Sequence, residues 1–247
     1  MKIKMMCASC RFNGEIDWLV PIELDKWPYI EANCKNGHKQ RFILSTELYE
    51  LLFEQATKCL LDGYYREAVG TYNASLERFF EYAIEMMLMS KSNIDFSQFW
   101  KSIDRQSERQ LGAYYGLWVS TFNELPATLD EHKVKLRNEV VHKGKLASRR
   151  EAEEYGKYVF DYIIQNAVRI HSLSPGIAFT KASRILRKCH KDLDQANKSP
   201  IYVDHHGEKS ILAEHLIKVS CLLSNPNILS FEDCLNVRNI SRFLSII

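Results

Sequence analysis

No stretch of this chain approaches the roughly 18 consecutive apolar residues that a membrane-spanning helix requires, which excludes a helical span. The N-terminal Met1-Lys2-Ile3-Lys4 meets a cysteine pair before a secretory core can develop, so a cytoplasmic protein with no membrane partner is expected. A surplus of one charge is missing as well. The 33 Lys and Arg against 31 Asp and Glu leave a net charge of +2, too little to announce a polyanion binder on its own. Paired cysteines are lacking too. Seven is an odd count, and Cys59, Cys189, Cys221 and Cys234 stand singly, which argues against a disulfide framework.

What is present is material for a sizeable core. Of the 247 residues 46% are hydrophobic and 26% charged, enough for one or two domains. The first fifty residues carry Cys7-x-x-Cys10 and then Cys34-Lys35-Asn36-Gly37-His38. Two knuckles offering Cys7, Cys10, Cys34 and His38 suit a tetrahedral zinc ion held by three thiolates and one imidazole. Four protein ligands leave no open position, so the zinc is expected to be structural. No βαβ pattern surrounds the Cys-x-x-Cys, which disfavours a redox motif. Ile16 to Val20, Ile22 to Leu24 and Gln40 to Leu44 read as short strands, with Trp27-Pro28-Tyr29 as a turn and Asn36-Gly37 as the tight turn of the second knuckle. The module resembles a zinc ribbon.

From Ser45 the periodicity turns helical. Ser45 or Thr46 is placed to cap a helix that stops near Gly63, and a long amphipathic helix is expected from Tyr64 to Met89. A short helix around Phe96, Phe99 and Trp100 and another from Glu108 to Asn123 follow. Thr128-Leu129-Asp130-Glu131 reads as a capping box, with Gly144 placed to end that helix in the left-handed region. Ser148-Arg149-Arg150-Glu151 is a second box, opening a helix with Ala152, Tyr155, Val159, Tyr162, Ile163, Asn166 and Ile170 on one face. The short connection implies an antiparallel hairpin whose tip carries charge. Between Lys133 and Arg150 lie seven basic residues (Lys133, Lys135, Arg137, Lys143, Lys145, Arg149, Arg150) and one acid, Glu139, a setting that favours a polyanion.

At that tip stands Arg137-Asn138-Glu139-Val140-Val141-His142. An arginine fork can hold a phosphate, and a histidine can move a proton near neutral pH. Asn138 and His142 are four apart and share a helix face. With the capped helix that follows it, and with Ala74-Ser75-Leu76-Glu77-Arg78-Phe79 upstream, this segment resembles the HEPN superfamily of small helical bundles over roughly residues 45 to 172. The resemblance implies an Arg-x4-His endoribonuclease that attacks RNA through its own 2′-hydroxyl and needs no catalytic metal. It also implies a homodimer in which two motifs meet in one cleft. His142 would transfer the proton, Arg137 stabilise the phosphate, and Asn138 orient the histidine or bind the phosphate. Glu77 would anchor Arg137 from the facing helix, and Lys143, Lys145, Arg149 and Arg150 would hold flanking RNA. A toxin or antiviral-defence role with a cognate antitoxin or defence partner follows from the same resemblance. The alternative is a non-catalytic HEPN-like adaptor binding nucleic acid or protein, with Arg137 paired to Glu139 or Glu151 and His142 only capping its helix.

The expected fold class is mainly α: a zinc-ribbon β module at 1–44, a HEPN-like bundle at 45–173 and a mostly helical extension at 174–247. In the extension, Lys181, Arg184, Lys188 and Lys191 recur at helical spacing. Ile201-Tyr202-Val203 reads as a short strand before Asp204-His205-His206-Gly207-Glu208, a weak candidate metal site, and His215 is assigned to a later helix.

Overall fold

The computed structural model describes residues 3–7, 9–10, 13–14, 18–22, 29–44, 46–91, 94–173, 201–203, 209–211, 215–218, 230–236 and 245–246. It is mainly α-helical, with seven helices among the described residues. The chain divides into two compact units. One comprises Met1–Thr46, Phe179–Ser220 and Asn239–Ile247, the other Glu47–Ala178 and Cys221–Arg238.

In the first unit β1 (Ile3–Met6) pairs antiparallel with β2 (Trp18–Ile22), and β3 (Tyr29–Asn33) with β4 (Lys39–Leu44). β2 runs through Pro21 instead of breaking around it. The register opposes Met5 to Leu19 but Ile3 to Ile22, so an extra β2 residue sits at Val20-Pro21, where a bulge tolerates the missing N–H. Tyr29 belongs to β3 rather than to a turn, while Trp27 and Pro28 lie outside the described residues. The C-terminal extension contributes β5 (Ile201–Val203), β6 (Lys209–Ile211), β7 (His215–Lys218) and β8 (Ser245–Ile246). β5 and β6 form their own hairpin. β7 lies parallel to β4, opposing Phe42 to His215, and β8 closes a sheet of order β3-β4-β7-β8. His215 is thus in a strand, not a helix. Where it is described, the extension is mostly strand, because its short apolar runs complete a sheet edge instead of continuing a helical face. The stripe from Lys181 to Lys191 and the Asp204–Glu208 segment lie outside the described residues.

The second unit is a bundle around one long helix. Its members are α1 (Leu48–Leu61), α2 (Tyr65–Lys91), α3 (Phe96–Lys101), α4 (Ser107–Phe122), α5 (Glu131–His142), α6 (Arg149–His171) and α7 (Phe231–Asn236). α2 packs against α1, α4, α5 and α6, burying Val69, Tyr72, Leu76, Phe79, Phe80, Ala83 and Met87 at the expected spacing. α1 is capped at Glu47, not at Ser45 or Thr46, because Glu50 accepts from the Glu47 N–H at 3.0 Å. α7 docks its Phe231 and Cys234 into the same core.

Two helices set the hairpin tip. α5 begins at Asp130, whose carboxylate accepts from the His132 and Lys133 N–H groups at 2.8 and 3.0 Å. The cap falls two residues after Thr128 because three tyrosines pin the preceding backbone. The Tyr162 hydroxyl donates to the Ala127 carbonyl, while the Leu129 and Asp130 N–H groups donate to the Tyr115 and Tyr158 oxygens. At the other end Gly144 adopts φ +69°, and the Lys143 and Lys145 N–H groups share the Glu139 carbonyl. That left-handed residue is what lets the chain reverse within one turn. The Ser148–Glu151 box then opens α6 as expected.

Candidate functional site

The two knuckles of the first unit converge. β1 and β2 deliver the loop with Cys7 and Cys10, and the β3–β4 turn delivers Cys34 and His38. Gly37, at φ +81°, closes that turn, with its N–H on the Cys34 carbonyl at 3.0 Å and the Cys34 N–H on the His38 carbonyl at 3.1 Å. The four ligand atoms all lie within 4.8 Å of one another. Cys10 Sγ is 3.8 Å from Cys34 Sγ, and His38 Nδ1 is 3.7, 3.3 and 3.4 Å from the sulfurs of Cys7, Cys10 and Cys34. These separations are the edges of a tetrahedron small enough for a single ion to bond every vertex. All three thiols are buried. Burial pushes the Cys7 thiol up to about 12, a cost that a bound cation reverses by favouring the thiolate. The Asn36 amide donates to Cys10 Sγ at 3.4 Å, the kind of outer contact that orients a ligand.

In the second unit α5 presents two faces. Leu136 and Val140 point to the core. Glu131, Val134, Lys135, Asn138, Glu139 and Lys143 line an open groove of about 410 Å³ on the outer side. Arg137 lies between the faces, half-buried, and its Nη1 donates to Asn138 Oδ1 at 2.9 Å. His142 stands in the last turn, exposed to solvent. Arginine and asparagine are therefore in contact, and the histidine lies one turn beyond on the Asn138 side.

The surrounding charges are arranged differently from the expectation. Lys145 Nζ sits 3.2 Å from Glu139 and 2.8 Å from Glu151. Arg149 and Arg150 each pair at 2.8 Å with the carboxylate four residues on, Glu153 and Glu154, and Glu154 also meets Lys133 at 3.4 Å. Three of the residues assigned to flanking RNA thus face carboxylates. Of these acids Glu139 lies inside the Lys133–Arg150 window, and Glu151, Glu153 and Glu154 follow directly after it. Glu77 does not reach Arg137; it accepts from Asn73 Nδ2 at 2.9 Å. Asn73 is not among the residues the sequence points to, and Tyr155 reads there only as part of an apolar helix face, although Asn73 and Glu77 at i,i+4 are a recognisable polar pair on a helix.

No protein family, curated protein or solved structure matches this chain. The assignment therefore rests on the molecule's own geometry: a mainly helical bundle, preceded by a Cys/His cluster suited to a metal. Among the described residues no helix is long and apolar enough to cross a membrane.

Proposed function

We propose that this chain is a HEPN-like endoribonuclease whose Arg137, Asn138 and His142 act on an RNA phosphodiester. One observation carries the reading. Among the described residues Arg137 and His142 enter no ion pair, nor do Lys135 and Lys143 beside them, whereas Lys133, Lys145, Arg149 and Arg150 do. The acids that would have made Arg137 a structural residue, Glu139 and Glu151, are occupied by Lys145. A half-buried guanidinium with a side-chain amide on one arm keeps its other donors for an anion, and a phosphate is the anion its planar fork suits.

In the proposed reaction the 2′-hydroxyl of a bound RNA attacks the adjacent phosphorus as its proton passes to a base. The bond from phosphorus to the 5′-oxygen breaks, and that oxygen takes a proton from an acid. The ends are a 2′,3′-cyclic phosphate and a 5′-hydroxyl. Arg137 stabilises the charge growing on the phosphoryl oxygens, and His142 moves the protons. Since one imidazole serves poorly as base and acid together, we assign the second role to His142 of a second copy. Val141 and Leu146, apolar side chains exposed beside His142, are surface that such a copy would cover. A toxin or defence enzyme held in check by an inhibitor partner fits this chemistry.

For the Cys7/Cys10/Cys34/His38 cluster the proposed ion is zinc, in a zinc-ribbon setting. Zn–S bonds of about 2.3 Å and a Zn–N bond of about 2.0 Å imply tetrahedral edges of about 3.8 Å between sulfurs and about 3.5 Å from sulfur to nitrogen, close to the separations found. With four protein ligands the ion would order the two knuckles and take no part in catalysis.

The test is direct. Purified wild-type protein should convert RNA, but not its 2′-deoxy counterpart, to cyclic-phosphate ends. His142→Ala should abolish that while leaving the helical circular dichroism unchanged. Undiminished cleavage by His142→Ala would overturn the proposal. RNA bound but left uncut by wild type would favour the adaptor reading, to which the ion-paired basic residues lend some support.

A further inference from the structure

A hydrogen-bonded row joins α6 to α2, the helix against which Arg137's own α5 packs. The hydroxyl of Tyr155, buried on α6, donates to Asn73 Oδ1 at 3.2 Å, and Asn73 Nδ2 donates to Glu77 Oε1 at 2.9 Å. Asn73 and Glu77 lie one turn apart on α2, so the amide and the carboxylate share a face. The Tyr155 phenol senses charges of both signs. Burial raises its pKa, the Arg137 guanidinium opposes that rise and the Glu77 carboxylate adds to it.

Arg137 stands on α5, which packs against the α2 that carries Glu77, and the two opposite charges act on one buried phenol, yet among the described residues neither enters an ion pair. Each is committed elsewhere, Glu77 to Asn73 and Arg137 to Asn138. The orientation of the Asn73 amide follows from its partners. A carboxylate can only accept, so it takes the NH2 end, and the oxygen is left to receive the tyrosine proton. Asparagine is one of the few side chains that can satisfy a donor and an acceptor at once in this spot. An apolar residue would leave Glu77 without its amide partner, and the guanidinium on the adjoining α5 is a charged donor to which a freed carboxylate would turn.

We propose that Asn73 is a positioning residue for the Arg137 site: by holding the Glu77 carboxylate and the Tyr155 hydroxyl, it withholds Glu77 from Arg137 and keeps the guanidinium for a phosphate. The inference rests on the phosphodiester reading of Arg137, and its test separates the two. Phenylglyoxal modification of Arg137 in the full chain, followed by peptide mass spectrometry, reports the state of the guanidinium without RNA. Binding of a 2′-O-methyl RNA oligonucleotide, which cannot be cut, reports the site in use. Asn73→Ala should slow Arg137 modification and weaken oligonucleotide binding, each by about fivefold, the effect of a new partly exposed ion pair. Asn73→Ala with Glu77→Gln should restore both to within about twofold of wild type, because the amide cannot form that ion pair.

Glu77→Gln alone, isosteric and compatible with folding, should leave the modification rate unchanged. A several-fold faster rate in that variant would mean that Glu77 already pairs with Arg137, and would overturn the inference even if Asn73→Ala fails to fold. So would a loss in Asn73→Ala that Glu77→Gln does not restore, since that marks a merely structural asparagine. If wild type binds no RNA while the modification pattern holds, the ribonuclease reading falls and the role of Asn73 stands.

Discussion

The Arg137 guanidinium donates to the amide oxygen of Asn138, its immediate neighbour, at 2.9 Å. Adjacent residues on a helix point about 100° apart, so this contact draws a side chain of the core edge toward the outer groove. It gives Asn138 a definite task, which is to hold the guanidinium at the groove's margin. Asn138→Ala should lower the rate of RNA cleavage about ten- to a hundredfold, in the range for loss of one aligned group. Stability should change by less than about 0.5 kcal/mol, because the residue is only half-buried. Single-turnover cleavage and a urea melt check the two statements separately.

The metal cluster makes a prediction that needs no RNA. The purified chain should carry about one zinc per molecule, since the four ligands form one tetrahedral set. Cys34→Ser should lose it, because an alcohol is a poor replacement for a thiolate in such a set. Elemental analysis and release of thiols to a colorimetric reagent measure both. Retention of zinc by Cys34→Ser would place the metal elsewhere.

Gly156 on α6 marks where α7 docks. A Cβ at this position would fall 2.6 Å from Phe231 Cζ and 2.7 to 2.8 Å from the Tyr72 ring, closer than carbon atoms approach. Gly156→Ala should destabilise the bundle by about 1 to 3 kcal/mol, the usual cost of overpacking. Phe231→Ala in the same chain should remove the Phe231 contact and open a cavity into which the Tyr72 ring can shift. Thermal melts of the two single variants and the double variant should therefore be strongly non-additive.

The Ser148–Glu151 capping box carries a pH signature. Lys145 and the Ser148 N–H and hydroxyl hold the Glu151 carboxyl down to about 2, against an ordinary value of about 4.3. A carboxyl depressed in the folded state binds fewer protons there than in the unfolded chain, so its contribution is present above about pH 4.5 and disappears as pH falls toward 2. Glu151→Ala should cost about 1 kcal/mol at pH 6, the ordinary worth of a cap, with solvent keeping the Lys145 pair modest. Urea melts should show wild type and variant converging between about pH 5 and pH 2.

Much of this arrangement was legible in the linear chain because it depends on neighbours. The Ser148–Glu151 box, the left-handed Gly144 and the apolar face of α2 each involve residues within a few positions of one another, where local geometry leaves little freedom. The box pattern points to Thr128, but the cap falls at Asp130 because Tyr115, Tyr158 and Tyr162 from other helices hold the backbone before it. The salt-bridged state of Lys145, Arg149 and Arg150 was partly readable, as two of these pairs are i,i+4. Glu151, Glu153 and Glu154 lie just past the basic window, and the reach of Lys145 to Glu139 and Glu151 depends on the fold of the turn.

By itself the sequence determined the metal-suited ligand set, the order of the helices and the turn that brings Arg137, Asn138 and His142 to a hairpin tip. All of these follow from spacing along the backbone. Only the tertiary structure decided which cations near that tip keep their charge unpaired, that Glu77 is held by Asn73 rather than by Arg137, and that β7 and β8 complete a sheet begun at the N-terminus. Those outcomes depend on which side chains reach one another across packed elements, and a carboxylate's choice between an amide and a guanidinium is settled by distance in space.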